Sequence, residues 1–274
     1  MLLFVSGGCC RWCWCWCSLL YPYTSGCPQC KLDAIATYGG VITRCKATVP
    51  DREAAAAKIQ EETGATLIPP YNYTPVICGQ GTIGAELMEQ VPDLDVVVVP
   101  ISGGGMISGI ATAVKGINPR CLVVAAEPCG TEGNAADTAQ SMEGDELATD
   151  VPVPNTIADG LKAKMGDLTW PIVRDKVDGV VVVDEREIVA AMRLIFERMK
   201  LVVEPSGAVG LAAALSSDFA PYIVNHRKER VMKKKVGIVL CGGNLDTAPL
   251  FDAYSTAVKL QKRKKNIFRY KPDC

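Results

Sequence analysis

The chain has 274 residues, 49% of them hydrophobic and 22% charged, with a formal net charge of −1. This is the balance of an ordinary globular protein, long enough for one large domain or two modest ones. A charge so near zero excludes a surface built as a whole for nucleic acid or an anionic membrane, and the basic runs at 226–235 and 262–271 read as solvated faces. Seven of the thirteen cysteines (Cys9, Cys10, Cys13, Cys15, Cys17, Cys27 and Cys30) fall in the first thirty residues. The other six, Cys45, Cys78, Cys121, Cys129, Cys241 and Cys274, are scattered, as reduced thiols usually are. The single histidine, His226, sits in a polar run, which argues against a mechanism built on a histidine base or several histidine ligands.

Residues 1–27 form an atypical Cys/Trp-rich segment. It lacks the charged start of a secretory signal, and Gly7, Gly8 and Arg11 would interrupt it as a membrane span. Cys27-Pro-Gln-Cys30 has redox-like spacing, without the second ligand pair or preceding strand that such a role requires. The segment is expected to stand outside the fold, as an alternative exon or a misassigned gene start.

From residue 28 the pattern is regular. A helix is predicted over 30–40, a strand over 41–45, a helix over 50–64, a strand over 66–73 and a helix over 82–91. The run "DVVVVPI" (95–101) is apolar throughout, as a strand covered on both faces should be. A helix over 106–117 and a strand over 121–127 complete a βαβ unit, which closes right-handed in a parallel sheet. A strand at 179–185, helices at 187–200 and 207–217, and a strand entering "VLCGGNLD" (239–246) extend the theme. The fold class is α/β, with a mostly parallel sheet flanked by helices.

The stretch "VVVVPISGGGMISG" (96–109) carries the chemistry. Backbone N–H groups in a glycine turn before a helix make an anion site, strengthened by the helix dipole. Ser102, Gly103, Gly104, Gly105 and Met106 are therefore candidates to cradle a phosphate, against the plainer reading of a tight turn. Gly103-x-Gly105-x-x-x-Gly109, with Glu127 closing the next strand, also fits an NAD(P)-dependent oxidoreductase of Rossmann type. The second glycine loop, after a strand at 235–240, points to the same crevice. There Cys241 would present a weak, neutral hydrogen-bonding group, unless it is simply a core thiol.

Eight stretches then occur in order: "CKLDAIATYGG", "GQGTIGAEL", "VPISGGGMISGIA", "AAEP", "NTIADGLK", "WPIVRDKVD", "ERMKLVVEPSGAVGLAA" and "VLCGGNLD". Together they resemble the serine racemase and serine/threonine dehydratase family of pyridoxal-phosphate (PLP) enzymes. The resemblance covers about residues 28–250 and implies the two-domain, tryptophan synthase β-like fold type II, incomplete at the N-terminus. On this basis 28–70 would be a remnant of the small domain. Residues 71–274 would be a partial large PLP-binding domain with a basic tail.

The resemblance implies that Ser102 to Met106 grip the cofactor phosphate and that Cys241 faces the pyridine nitrogen. A neutral partner there leaves that nitrogen unprotonated and moderates the ring as an electron sink. Gly160, Glu204 and Asn72 are implied as further cofactor-pocket residues. Glu127 is reread as a ligand of Mg²⁺ or Ca²⁺ together with Ala135 and Asp137, in a segment lengthened by "CGTEGN" (129–134). Lys31, Tyr38, Met199, Lys200 and Asn244 resemble positions lining an ATP effector site between subunits. The substrate implied is L-serine or L-threonine, with a homodimer in the cytoplasm and no nucleic-acid or membrane partner. The reaction implied is α-proton abstraction followed by reprotonation, or by β-elimination to pyruvate and ammonia.

Two family motifs do not occur in these residues: the Ser-Phe-Lys-x-Arg-Gly-like motif carrying the Schiff-base lysine, and the Ser-Ser-Gly-Asn-His-Gly loop carrying the opposite-face serine. No catalytic residue is therefore assigned. Lys31 is no substitute, because it belongs to a later helix. The expectation is half a cofactor site with little or no activity, and apolar faces left open to aggregation. The non-enzyme alternative is a pseudoenzyme or regulatory subunit.

Overall fold

The computed structural model describes residues 2–4, 19–24, 29–46, 49–153, 155–223 and 234–246. His226, the basic run at 262–271, most of the run at 226–235 and the cysteines before Cys30 lie outside the described residues.

Among the described residues, two parallel four-stranded sheets organise the fold. In the first, β1 (Leu2–Phe4), β2 (Leu19–Thr24), β3 (Val41–Cys45) and β4 (Thr66–Ile68) take the order β3-β2-β1-β4. Its helices are α1 (Gln29–Thr37) and α2 (Val49–Thr63), each spanning a crossover between parallel strands. This corrects the expectation for residues 1–27. Leu19–Thr24 pairs with Val41–Cys45 over five residues, and Leu2–Phe4 pairs with Thr66–Ile68. Backbone pairing is indifferent to the unusual composition between them, so composition was a poor guide to whether this segment joins a sheet.

The second sheet has the order β7-β6-β5-β8, from β5 (Val96–Pro100), β6 (Leu122–Pro128), β7 (Gly179–Val183) and β8 (Val236–Ile238). Every residue of β5 is buried, and alternate side chains serve opposite faces. Val96 and Val98 join the core formed with α7 (Glu185–Leu194) and α8 (Pro205–Leu215). Val97 and Val99 join the core formed with α4 (Gly105–Ile117) and α6 (Trp170–Lys176). Each such valine contributes roughly 1.5–2 kcal/mol by leaving water, which is why the strand reads as unbroken valine.

Some boundaries differ from the sequence expectation for local reasons. The strand expected over 66–73 stops at Ile68, because Pro69 and Pro70 bring no N–H to a ladder. The helix expected over 82–91 is α3 (Thr74–Gln90), opened by Pro75 in its first turn. Gly79, Gly81 and Gly84 all lie within α3. Two of them are contact points: a Cβ on Gly84 would lie 2.9 Å from the carbonyl oxygen of Ile110, and one on Gly81 would lie 3.2 Å from that of Gly109. The helix expected over 187–200 begins from an Asp184–Glu187 capping box, widens to a π-turn at Ile195–Met199 and ends at Lys200 with φ +60°. The short α5 (Asp137–Gly144), α6 and α9 (Ala220–Ile223) had no separate sequence signal.

The α3–α4 crossing sets a test. A methyl on Gly109 would run into the carbonyl oxygen of Ile77 and the backbone of Gln80 and Gly81, whereas one on Gly116 meets nothing within 4 Å. Gly109→Ala is expected to destabilise the fold by about 1–3 kcal/mol or more through overpacking. Gly116→Ala, in the same helix, is expected to stabilise it by up to about 1 kcal/mol. Denaturant midpoints of the two variants measure both.

Candidate functional site

β5 and β8 are neighbours in register, Val96 beside Val236 and Val98 beside Ile238, and the N–H of Val239 continues the ladder to the carbonyl of Val98 at 3.0 Å. Their two glycine loops therefore leave the same edge of the sheet side by side. Chain connections run outward from β5 to β6 on one side, while β8 returns on the other. A parallel sheet binds ligands at such a switch point, beyond the carboxyl ends of its strands.

The loop after β5 is held from outside by its neighbours. Gly103 and Gly105 lie against Tyr71, where a Cβ on either would clash, and Gly104 adopts φ +85° against Thr169. The Thr169 hydroxyl donates to the Gly103 carbonyl at 2.7 Å and accepts from the N–H of Gly166 at 3.0 Å. Ser102 is reciprocally bonded to Ala163: its hydroxyl donates to the carbonyl at 2.8 Å and accepts the N–H at 2.9 Å. Its side chain is thus committed to the strap at 163–169. The N–H groups of Gly103, Gly104, Gly105 and Met106 donate to no backbone or side-chain group among the described residues. They stand at the start of a thirteen-residue helix, the arrangement that suits a phosphate.

The second loop packs on α8. The carbonyl of Cys241 presses on Gly207, and the Glu204 side chain lies against Gly242, which has φ +75°. The N–H of Glu204 donates to the Gly242 carbonyl at 3.2 Å, and the backbone of Asn244 bonds to the Glu204 carboxylate. Gly160 donates its N–H to the Ser206 hydroxyl at 2.9 Å. Burial, reinforced by the negative charge of Glu204, pushes the Cys241 thiol up to about 11. It is therefore a neutral group at neutral pH, as its expected place beside a pyridine nitrogen requires. Glycine backbone for the phosphate and a neutral thiol for the ring fit PLP.

Asn72 sits in the connection between β4 and α3, and joins the strap: its amide donates to Asp167 at 2.6 Å and accepts the N–H of Leu168 at 3.0 Å. Lys31 is buried, with its ammonium 2.7 Å from Asp159 and 3.4 Å from Glu204. Burial opposes its charge, but the bonds and charges of these two carboxylates outweigh that and raise its pKa. Tyr38, Met199 and Lys200 are exposed. Of the five residues grouped by the effector resemblance, Lys31 and Asn244 meet at Glu204.

Glu127 is buried at the end of β6. Its carboxylate accepts the N–H groups of Thr138 at 2.8 Å and Ala139 at 2.9 Å, in the first turn of α5. Asp137 accepts the N–H of Met165 at 2.9 Å. Burial, with Asp137 adding repulsion, pushes Glu127 up to about 7, and burial raises Asp137 as well. Among the described residues no three His, Cys, Asp or Glu side chains gather as a metal cluster. A cation here would depend on these two carboxylates and on main-chain oxygen such as that of Ala135. Two close carboxyl groups that resist ionisation are what a divalent cation offsets.

Sequence reading missed Tyr71, Thr169 and Asp159. Thr169 immediately precedes "WPIVRDKVD", and Asp159 lies beside Gly160 within "NTIADGLK". Tyr71 carries no signal beyond its nearness to Asn72.

The family model described as "Pyridoxal-phosphate dependent enzyme" matches residues 19–242. The chain belongs to this family of pyridoxal-phosphate dependent enzymes. Within it, the chain is 50% identical over 232 residues to a serine racemase of Arabidopsis thaliana, a match covering 85% of this chain and 67% of that one. The structure of maize serine racemase superposes with a TM-score of 0.81 at 42% identity, covering 95% of this chain and 78% of that one. The T.th. threonine deaminase structure gives 0.74 at 34% identity, covering 89% and 78%. The fold is that of the serine racemase and threonine deaminase group. This replaces the nicotinamide reading, and Glu127, its would-be ribose acid, has both oxygens bonded to α5.

The buried acid has a pH signature. Glu127 ionises near 4.5 when unfolded and near 7 when folded, so its neutral form favours the fold. Its contribution is complete below pH 4.5 and is lost as pH rises to about 7. In EDTA, up to about 3 kcal/mol should go across that window. Glu127→Gln should flatten this part of the stability–pH curve measured by urea unfolding.

Proposed function

We propose that this chain binds PLP in the crevice beyond β5 and β8 and belongs functionally with enzymes that act on L-serine or L-threonine. The observation that carries this is the convergence of two glycine loops on neighbouring strands, one with unpartnered N–H groups at a helix start, the other with a neutral thiol. Gly103, Gly104, Gly105 and Met106 would hold the phosphate through main-chain N–H groups, with Ser102 fixing the loop against Ala163. Cys241 would meet the pyridine nitrogen, and Gly160, Glu204 and Asn72 would bound the pocket. When bound, the cofactor supplies an electron sink for a carbanion at the amino acid's Cα.

Proton abstraction at Cα, followed by reprotonation or β-elimination to pyruvate and ammonia, needs a neutral amine that can both carry the cofactor and take the proton. The 274 residues contain no Ser-Phe-Lys-x-Arg-Gly-like motif. Lys31 is held as an ammonium by Asp159 and Glu204, which makes it a poor nucleophile and a poor base. In this reading the chain as given binds the cofactor with little turnover of its own, and a regulatory pseudoenzyme is the alternative. Exposed Met199, Leu201 and Val202 support pairing with a second copy, and ATP is the effector proposed near Lys31, Tyr38, Met199, Lys200 and Asn244. Free thiols at Cys30, Cys45, Cys78, Cys121, Cys129 and Cys241 suit a reducing compartment, the cytoplasm in this reading. Among the described residues no helix is long and apolar enough to cross a membrane.

Titrating the purified chain with PLP and following tryptophan fluorescence tests the reading. Saturable binding is expected, weakened at least about tenfold in Gly104→Val, whose side chain would both block the loop and strain its backbone. D-serine and pyruvate formation from L-serine should stay below about 1% of a full-length relative's rate, the loss expected without the amine. Turnover matching that relative would refute the inactive reading, and absence of PLP binding would refute the cofactor site.

Glu127, Ala135 and Asp137 are the residues proposed to hold Mg²⁺ or Ca²⁺. Protons compete with the cation for these carboxylates. Added Mg²⁺ should therefore raise the melting temperature more at pH 8 than at pH 5.5, and Glu127→Gln should abolish the gain. A shift equal at both pH values, or one retained in the variant, would exclude this site.

A further inference from the structure

Lys31 is the only buried lysine or arginine among the described residues. It projects from α1, beside the first sheet, and reaches two carboxylates that belong to separate segments of the second half of the chain. Its ammonium lies 2.7 Å from Asp159, a residue 128 positions away, and 3.4 Å from Glu204 at the N-cap of α8. Neither carboxylate is idle. Asp159 immediately precedes Gly160, whose N–H is tied to Ser206. Glu204 packs on Gly242 and bonds to the backbone of Gly242 and Asn244, the loop that presents Cys241.

One ammonium thus connects the Gly160 segment and the Cys241–Asn244 loop, both assigned to the cofactor pocket. Its removal would leave Asp159 and Glu204 as like charges facing the same buried point, and that repulsion would push their segments apart. We infer that Lys31 is a positioning residue for the cofactor: its ammonium draws Asp159 and Glu204 together and so sets the spacing between the Gly160 backbone and the Cys241–Asn244 loop. This rests on the cofactor reading above and deepens it.

The test uses the whole chain with PLP as probe, and reads both affinity and the absorption maximum of the bound cofactor. Lys31→Met is expected to weaken binding about tenfold or more and to shift the maximum, since Glu204 would then face the ring side uncompensated. Lys31→Arg keeps a cation at the same place and should restore the unmodified spectrum and most of the affinity. Lys58→Met, at an exposed position on α2, should behave as the unmodified chain. If Lys31→Met fails to fold, Asp159→Asn carries the test, with a smaller loss of affinity expected. Unmodified chain that binds PLP, alongside a folded Lys31→Met that binds it equally well with the same spectrum, overturns the inference alone. Unchanged affinity in Asp159→Asn does the same in the fallback. No uptake of PLP by the unmodified chain overturns the cofactor reading, and this inference falls with it.

Discussion

The pairing of β5 with β8 is the constraint on which the site depends. Parallel strands in register point their carboxyl ends the same way, so the loops that follow must emerge together. Each loop is then pinned by a neighbour that tolerates no side chain: Tyr71 and Thr169 on the triple glycine, Glu204 on Gly242. The glycines are needed twice, once to let these neighbours close in and once to leave the N–H groups facing outward. The strap at 163–169 coordinates the arrangement. It bonds to Ser102, Gly103, Asn72 and Asp137 in the space of seven residues, so the triple-glycine loop and the buried acids share one support.

Buried charge is handled in two different ways around this crevice. Lys31 answers Asp159 and Glu204 with opposite charge, and the trio satisfies itself within the chain. Glu127 and Asp137 meet backbone N–H groups and each other, which lowers the cost of a buried carboxylate without removing it. The first group is therefore suited to holding parts in place, and the second stays costly to ionise. The distinction depends on which side chains meet, since the residue types alone are equally charged in both.

Much of the large sheet was legible because period and burial agree along it. Val96–Pro100 and Leu122–Pro128 are apolar for their whole length because helices cover both faces. In a chain with this loop pattern, a continuous valine run fits a doubly covered strand and little else. Legibility failed where a residue has two uses. The helix expected over 82–91 begins earlier, at Thr74, and two of its glycines permit a close helix crossing. Residues 1–27 looked foreign by composition, yet two short runs within them pair with strands, and backbone pairing asks little of side-chain identity. Lys31 gave no sign in sequence of its partners Asp159 and Glu204, which lie far along the chain.

The order of elements, the parallel α/β class, the two glycine loops and the membership in a PLP-dependent family were all determined by the amino-acid sequence, because hydrophobic period and local turn chemistry act over a few residues at a time. The tertiary structure alone decided that Tyr71 and Thr169 close on the triple-glycine loop, that Glu127 and Asp137 come together in the interior, and that Lys31 meets Asp159 and Glu204. Those contacts join residues up to 173 positions apart, counting from Lys31 to Glu204. No local pattern encodes which distant side chains come within hydrogen-bonding reach; that follows only when the sheets have paired and the helices have packed.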